Sequence, residues 1–263
     1  MAQGFSRVSP FGGHVRRWRG IRRMSQLDLA IAAGTTGRHL SFVETGRSRP
    51  GRDLVLRIGD ALAMPLPERN ALLAAAGLAP AFPAHDLGSQ EMESIDRVLG
   101  AVLRGHEPYP AWVVRRPFTF LRANASAEAL FPGLTELPPD QLIDLWFGPG
   151  AFRDQVRNWA DVIQAALAAL RRDAAQAADT ESARLLERAE TLSRRFPGRP
   201  AASAESGPVI CPIFEFGGHI VRTISAVMRF DTATEVTTSQ LRIELMFPAD
   251  DQAEAYFQAR ATQ

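Results

Sequence analysis

From Phe11 to Gly77 this chain can fold only as a run of short helices, because a cap or a breaker interrupts each apolar helical stretch within a few turns. Phe11, Val15, Trp18 and Ile21 recur at helical spacing, with Arg16, Arg17, Arg19, Arg22 and Arg23 on the other faces. Ser25 is a good N-cap for a second helix carrying Leu27, Leu29, Ala30 and Ala33, which Gly34 stops. Thr35 or Thr36 caps a third helix running through Leu40 and Val43 to Glu44, and Gly46, Pro50 and Gly51 mark the loop after it. Asp53 is placed to cap a fourth helix bearing Leu54, Val55, Ile58 and Leu62, and Pro67 sits in the first turn of a fifth that ends near Gly77. Helices this short must share one core, in which Leu27, Leu40 and Val43 are expected to meet.

Charge follows the same division. The 263 residues carry a net charge of +1, and all 30 basic residues are arginine, since lysine is absent. Residues 1–79 hold 12 Arg against 5 acids, a surplus of 7, whereas residues 80–263 hold 18 Arg against 24 acids, a deficit of 6. Such asymmetry points to a nucleic-acid- or membrane-facing end joined to a region with another role. With lysine missing throughout, the identity of arginine reflects compositional bias, and only its distribution is informative.

A chain that is 46% hydrophobic and 22% charged can bury a real core, which excludes disordered and collagen-like classes. Its length fits about two domains of roughly 100–200 residues each. The single Cys211 excludes an intramolecular disulfide or a thiolate zinc site and fits a reducing compartment. No run approaches the ~20 apolar residues of a membrane span, and Met1–Pro10 lacks the apolar core of a signal peptide, so the expected location is the cytoplasm.

The stretches Ser25–Ala30, Gly34–Thr36 and Leu40–Pro50 carry the most specific signal. Ala30 is small where two helices cross, and Gly34 permits the positive-φ turn that a tight helix–turn–helix needs. Gln26 falls in a helix's first turn, where a side-chain amide and free N–H groups suit a DNA phosphate. Over about residues 11–77 the chain resembles the XRE, or lambda-repressor-like, helix-turn-helix family. The resemblance implies an all-α five-helix DNA-binding domain whose third helix enters the major groove. It turns Thr36, Gly37, Arg38, His39, Ser41 and Phe42 toward DNA, with Arg38 the candidate for bidentate reading of a guanine. Gln26, Thr35, Arg47 and Arg49 are then the candidates for phosphate contacts. Gly37 stands where that family often has a longer polar residue, and it offers no base contact. The plain alternative is a helical bundle that is merely basic; coincidence of the arginine surplus with the motif favours DNA binding.

Breakers over Leu78–Ser89 place a linker at 80–90, between a first domain at 1–79 and a second at 91–263. The second domain is expected to run from a helix at Glu91–Arg104 through strands at Ala111–Arg115 and Phe118–Ala123 to helices at Phe152–Arg172 and Glu181–Phe196. A breaker-rich loop at Pro197–Pro208, strands near Ile210–Phe216, His219–Phe230 and Gln240–Phe247, and a helix at Asp250–Arg260 follow. This order is α+β and not alternating βαβ.

Three stretches of this region belong together: His106–Arg115 with Phe118–Ala125 and Ala129–Phe131; Gly148 and Pro149 with Arg153, Arg157, Asn158 and Trp159; and Leu241–Asp250. Over most of residues 91–252 they resemble the C-terminal domain of MmyB-like transcription regulators. The resemblance implies a PAS-like ligand-sensing fold, with long-chain fatty acid as the ligand type of some members. Twelve of the 15 Phe lie after residue 80, enough for the dry lining that an acyl chain requires. The candidate lining residues are Trp112, Phe118, Phe120, Phe131, Trp146, Phe147, Trp159, Ile163, Phe214 and Phe216. Arg153, Arg157 and Asn158 are available to hold a carboxylate. The same residues also fit an ordinary packed core with solvated arginines.

Little else carries chemistry. A PAS-like fold raises His106 and His219 as haem ligands, but nothing beside them supports it. There is no P-loop, Rossmann pattern, HExxH or nucleophile elbow, so no catalytic residue, metal ligand or cofactor is assigned. Cys211 reads as an inert strand residue, Asp250 and Asp251 as a helix cap, and Asp173–Ser193 as a solvated helix face. Two functions stand side by side. One is a homodimeric regulator of double-stranded DNA that senses a fatty-acid-like molecule; the other is a regulator whose C-terminal domain only dimerises or binds a protein. An apolar cavity favours the first, and a filled core with a large exposed apolar face the second.

Overall fold

The computed structural model describes residues 9–177, 179–197 and 209–261, which form two compact units. Most of the loop expected at Pro197–Pro208 lies outside the described residues. The N-terminal stretch of the first unit runs, among the described residues, through α1 (Pro10–Arg22), α2 (Gln26–Ala32), α3 (Gly37–Glu44), α4 (Arg52–Ala61) and α5 (Leu66–Ala75). Their starts are set by local chemistry. Ser9 accepts from the Gly12 amide, Ser25 and Asp28 form a reciprocal capping box, and Thr36, not Thr35, accepts from the His39 amide to start α3. Asp53 does not cap α4; Gly51 is its N-cap and Asp53 lies in the first turn.

One close approach fixes the packing of α1 on α3. A Cβ built on Gly12 would lie 1.8 Å from the Glu44 carbonyl oxygen, so only glycine lets the two backbones meet. The Glu44 side chain, 1% exposed, takes Arg19 Nε at 2.9 Å, Arg16 Nε at 3.3 Å and Gln26 Nε2 at 2.9 Å, tying α1, α2 and α3 to one buried carboxylate. Val15, Trp18, Leu29, Leu40, Val43, Ile58, Leu62 and Leu72 fill the core. Leu27 departs from expectation, at 62% exposed. It lies two residues, or about 200° of helix rotation, from Leu29, so burying one turns the other out. Arginines also cap carbonyls: Arg22 donates to Leu62 and Ala63 beyond α4, and Arg57 to Ala33 beyond α2.

The first unit continues to His85 and takes in residues 233–239. Asn70 holds this extension, accepting from the amides of Ala81 and Phe82 and donating to the Phe82 carbonyl. The Val236 amide donates to the Pro83 carbonyl at 2.8 Å.

In the second unit, α6 (Glu93–Gly105) is followed by β1 (Ala111–Arg115) and β2 (Thr119–Ala123). Then come α7 (Ala125–Leu130), α8 (Pro139–Phe147), α9 (Ala151–Asp154), α10 (Trp159–Ala177) and α11 (Thr180–Arg195). After α11 come β3 (Ile213–Phe216), β4 (His219–Arg229), the short α12 (Val236–Gln240), whose residues up to Ser239 belong to the first unit, and then β5 (Leu241–Pro248) and α13 (Asp251–Ala261) of the second. The strands form one antiparallel sheet in the order β2-β1-β5-β4-β3. This is the PAS-like α+β architecture.

Both faces of the sheet's centre are covered, so β1 is buried along nearly its whole length. Ala111 and Val113 pack with Leu241, Ile243, Leu245 and residues Leu99 and Leu103 of α6. Trp112 and Val114 face the larger cluster under the other helices. Arg184 and Arg188 pair with Asp140 and Asp144, joining α11 to α8.

The single helix expected over Phe152–Arg172 is broken. After α9 the chain runs alongside β3: Val156 bridges Phe214, Arg157 donates its amide to Ile213, and Gln155 accepts from the Glu215 amide. Asn158 completes the junction, accepting from the Ile213 amide and donating to the Cys211 carbonyl. Pairing with a distant strand overrides the apolar helical spacing there.

Candidate functional site

The helix-turn-helix unit divides its arginines into two sets. Arg16, Arg19, Arg22, Arg52, Arg57 and Arg69 are committed to carboxylates or carbonyls of their own unit. Arg17, Arg23, Arg47 and Arg49 are exposed, and their side chains make no ion pair or hydrogen bond among the described residues. Arg38 is exposed on the first turn of α3, its guanidinium 5.4 Å from the Phe42 ring centre. Thr36 caps that helix, and His39 and Ser41 follow within it. Gly37 is its first residue, and a Cβ there would meet only Leu27, at 3.9 Å. The Gln26 amide is taken by Glu44, while the Thr35 amide donates to the Ala30 carbonyl. Exposed cations therefore remain beside α3 after the fold has used its share.

The second unit contains an apolar cavity of about 690 Å³. Aromatic residues Trp112, Phe120, Phe131, Trp146, Phe152 and Phe214 line it, opposite the small Ala165, Ala166 and Ala169 of α10. Val209, Ile210 and Val227, each about half exposed, stand at its open side. Among the described residues its polar groups come from Cys211, Ser225 and Glu244 and from the indoles of Trp112 and Trp146. The Cys211 sulfur accepts from the Ser225 amide at 3.2 Å.

Residues 95–259 match the family model of the MmyB-like transcription regulator ligand binding domain, and residues 10–72 match a helix-turn-helix domain. The chain belongs to the MmyB-like transcription regulators. It is a helix-turn-helix DNA-binding regulator with a ligand-binding domain of that family. No sequence among curated proteins matches it. No helix among the described residues is long and apolar enough to cross a membrane.

The MmyB-like domain brings five of the anticipated residues to the cavity: Trp112, Phe120, Phe131, Trp146 and Phe214. The others lie outside its wall. Phe147, Trp159 and Ile163 are buried in the surrounding core, Phe118 packs on Phe120, and Phe216 stacks between Phe214 and Tyr256. Arg153 donates to the carbonyls of Phe196 and Pro197, Arg157 lies 3.8 Å from Glu215, and Asn158 serves the junction with β3. Cys211 precedes β3 instead of lying within it. His106 is engaged, its Nε2 2.8 Å from the Met246 carbonyl.

Alanines that leave space escaped the sequence reading because smallness has no period. Another omission is the group beyond Glu244. Asp173 of α10 takes Arg242 Nη1 at 3.0 Å and Arg116 Nη2 at 3.3 Å. Burial holds the Arg116 guanidinium below its ordinary pKa, with Arg229 and Arg242 acting the same way and Asp173 opposing. Arg242 Nε is 3.0 Å from Glu244 Oε1, a charge contact without hydrogen-bond alignment.

Proposed function

We propose that this regulator binds a roughly palindromic double-stranded DNA site as a homodimer and senses a long-chain fatty acid in the cavity of its C-terminal domain. Residues 1–79 carry the DNA-binding part and 91–263 the sensing and dimerising part, joined by 80–90, and the protein acts in the cytoplasm. The cavity carries this reading: its volume suits a lipid-sized ligand, and its lining is overwhelmingly aromatic and aliphatic. On the DNA side, Arg38 reads a base edge and Arg47 and Arg49 hold phosphates, consistent with the exposure of all three and with the absence of any carboxylate paired to them among the described residues. One short recognition helix makes few base contacts, and a two-fold pair doubles them. The sheet offers a surface for that pairing. Ile224 and Phe247 pair across β4 and β5 and are exposed, as is Met228 on the same sheet face.

Ligand changes DNA affinity only by favouring one dimer arrangement over another. The test is organic extraction of the purified protein with mass spectrometry, followed by thermal unfolding with added fatty acid. A bound acyl species, and stabilisation of about 2.7 kcal/mol at a hundred times Kd, is the expected result. A lipid-free protein that no fatty acid stabilises would overturn the sensing function.

A further inference from the structure

The cavity wall continues into a cluster of arginines. Trp112, Glu244 and Val227 pair in one row across β1, β5 and β4, and all three line the cavity. Paired residues share a sheet face, and the second residue along each strand returns to it. The next row on that face is therefore Val114, Arg242 and Arg229, in which Arg242 is paired with both others. On α10 the same step leads from Ala169, in the wall, to Asp173, one turn on, which takes Arg242 and Arg116. Just beyond one edge of the apolar cavity, outside its wall, the sheet and α10 thus gather Arg116, Arg229 and Arg242, with Asp173 and Glu244 the acidic partners of this group among the described residues.

The unbalanced charge falls on Arg229. It is exposed, pairs with no carboxylate among the described residues, and stands beside Arg242 in the sheet. An anion placed there relieves repulsion between like charges. The wall also holds unmet polar donors, which favour a ligand carrying oxygen without deciding its direction. Trp112 is 5% exposed and lines the cavity, and among the described residues its indole N–H is buried without a hydrogen-bond partner, as is that of Trp146 in the same wall. A buried donor left unmet is costly, and an oxygen of an incoming ligand removes that cost. The far end is aromatic and carries no charged side chain in its wall among the described residues. Phe214 pairs with Val221, near the opposite end of β4 from Arg229, and its ring contacts Phe152, which in turn packs on Trp146.

We propose that the ligand is an apolar chain with a carboxylate head, the head held at the Arg229–Arg242 end and the chain running toward Phe152 and Trp146. This rests on the acyl-chain reading above and adds a direction and a charged partner to it. Arg153 and Arg157 are engaged elsewhere and do not hold the head.

The test titrates full-length protein, stripped of lipid, with hexadecanoate, hexadecanol and hexadecyl phosphate. Wild type should bind hexadecanoate about tenfold or more tightly than hexadecanol, the scale of a charge-assisted contact. Arg229→Gln, at an exposed position, should erase that advantage while leaving hexadecanol affinity unchanged, and Arg157→Gln should preserve it. Equal affinities of wild type for acid and alcohol, or undiminished acid binding by Arg229→Gln, overturn the head-group placement alone. Loss of hexadecanol binding in Arg229→Gln also overturns it, since the side chain would then be structural. Hexadecyl phosphate binding about tenfold more tightly than the acid overturns the carboxylate assignment. Failure of all three probes to bind overturns the acyl-chain reading and this placement together.

Discussion

The two units of this regulator treat their interiors in opposite ways. At the crossing of α1 and α3 there is no spare room: a single added carbon on Gly12 collides with the backbone of Glu44. In the ligand-binding domain a space of about 690 Å³ is left between the sheet and α10. A tightly crossed bundle holds α3 in one place, as a helix that docks on DNA requires. A hollow domain has a place for its contents to vary, which a sensor demands.

Glycine substitutions give the largest expected effects. Gly12→Ala should cost the helical unit about 3 kcal/mol, because the obstruction is backbone and cannot swing aside. Gly20→Ala, in the same helix with nothing within 4 Å of its added Cβ, should instead stabilise by about 0.5–1 kcal/mol. Urea unfolding of both variants checks the pair. Similar losses in both would show that helix propensity and not the crossing governs α1.

Alanines sharpen the contrast next. Ala30→Leu, at a fully buried position in α2, should cost about 2 kcal/mol through overpacking. Ala166→Leu extends into the cavity and should change stability by less than about 1 kcal/mol while weakening fatty-acid stabilisation. Thermal unfolding of each variant, with and without hexadecanoate, separates the two. A large loss at Ala166 without ligand would mean that the space is not available to a side chain.

What could be read in advance follows the range of the interactions. Ser25, Gly34 and Thr36 announce the first unit because caps and turns act over a few residues. Gly12 does not announce itself, since its constraint comes from the backbone of Glu44, far along the chain. In the second unit the strands were legible from their composition, whereas the break between α9 and α10 depends on β3, a non-local partner. For the same reason Trp112 and Phe214 attract notice as aromatics, but Arg229 and Arg242 do not. Only the β4–β5 register shows that the two are paired with each other, on the face where Val227 is paired with Glu244.

Free and committed arginines should separate on DNA. Arg38→Ala should lose about 1–3 kcal/mol on a preferred site and little on unrelated sequence. Arg47→Ala should weaken binding to all sequences alike and reduce the slope of log affinity against log salt by about 1. Arg57→Ala should instead loosen the end of α2, since Arg57 donates to the Ala33 carbonyl at 2.8 Å. Anisotropy titrations at several salt concentrations, on a selected site and on random duplex, report the first two; urea unfolding reports the third. Equal loss by Arg38→Ala on both duplexes would remove it from base reading.

The smallest effect concerns Glu235, a carboxylate held mainly by backbone amides together with the Thr238 side chain, unlike Glu44 with its arginines. It accepts from the His85 amide at 2.8 Å and the Thr238 amide at 2.6 Å, and the His85 ring nitrogen lies 3.9 Å away. Burial by itself would raise the Glu235 carboxyl, but the donors Thr238, His85 and Thr237 outweigh it and hold it below its ordinary value. A depressed folded pKa means stability that is fully present above the ordinary carboxylate value and lost as pH falls through the folded one. Glu235→Ala should therefore cost about 1 kcal/mol at neutral pH, the scale of a lost helix cap. In acid, below the folded pKa, the variant and wild type should converge except for what the protonated side chain still contributes by packing. Urea unfolding across that range checks it. A difference that stays constant into acid would show that Glu235 acts through packing, leaving charge no part in holding the segment at 233–239.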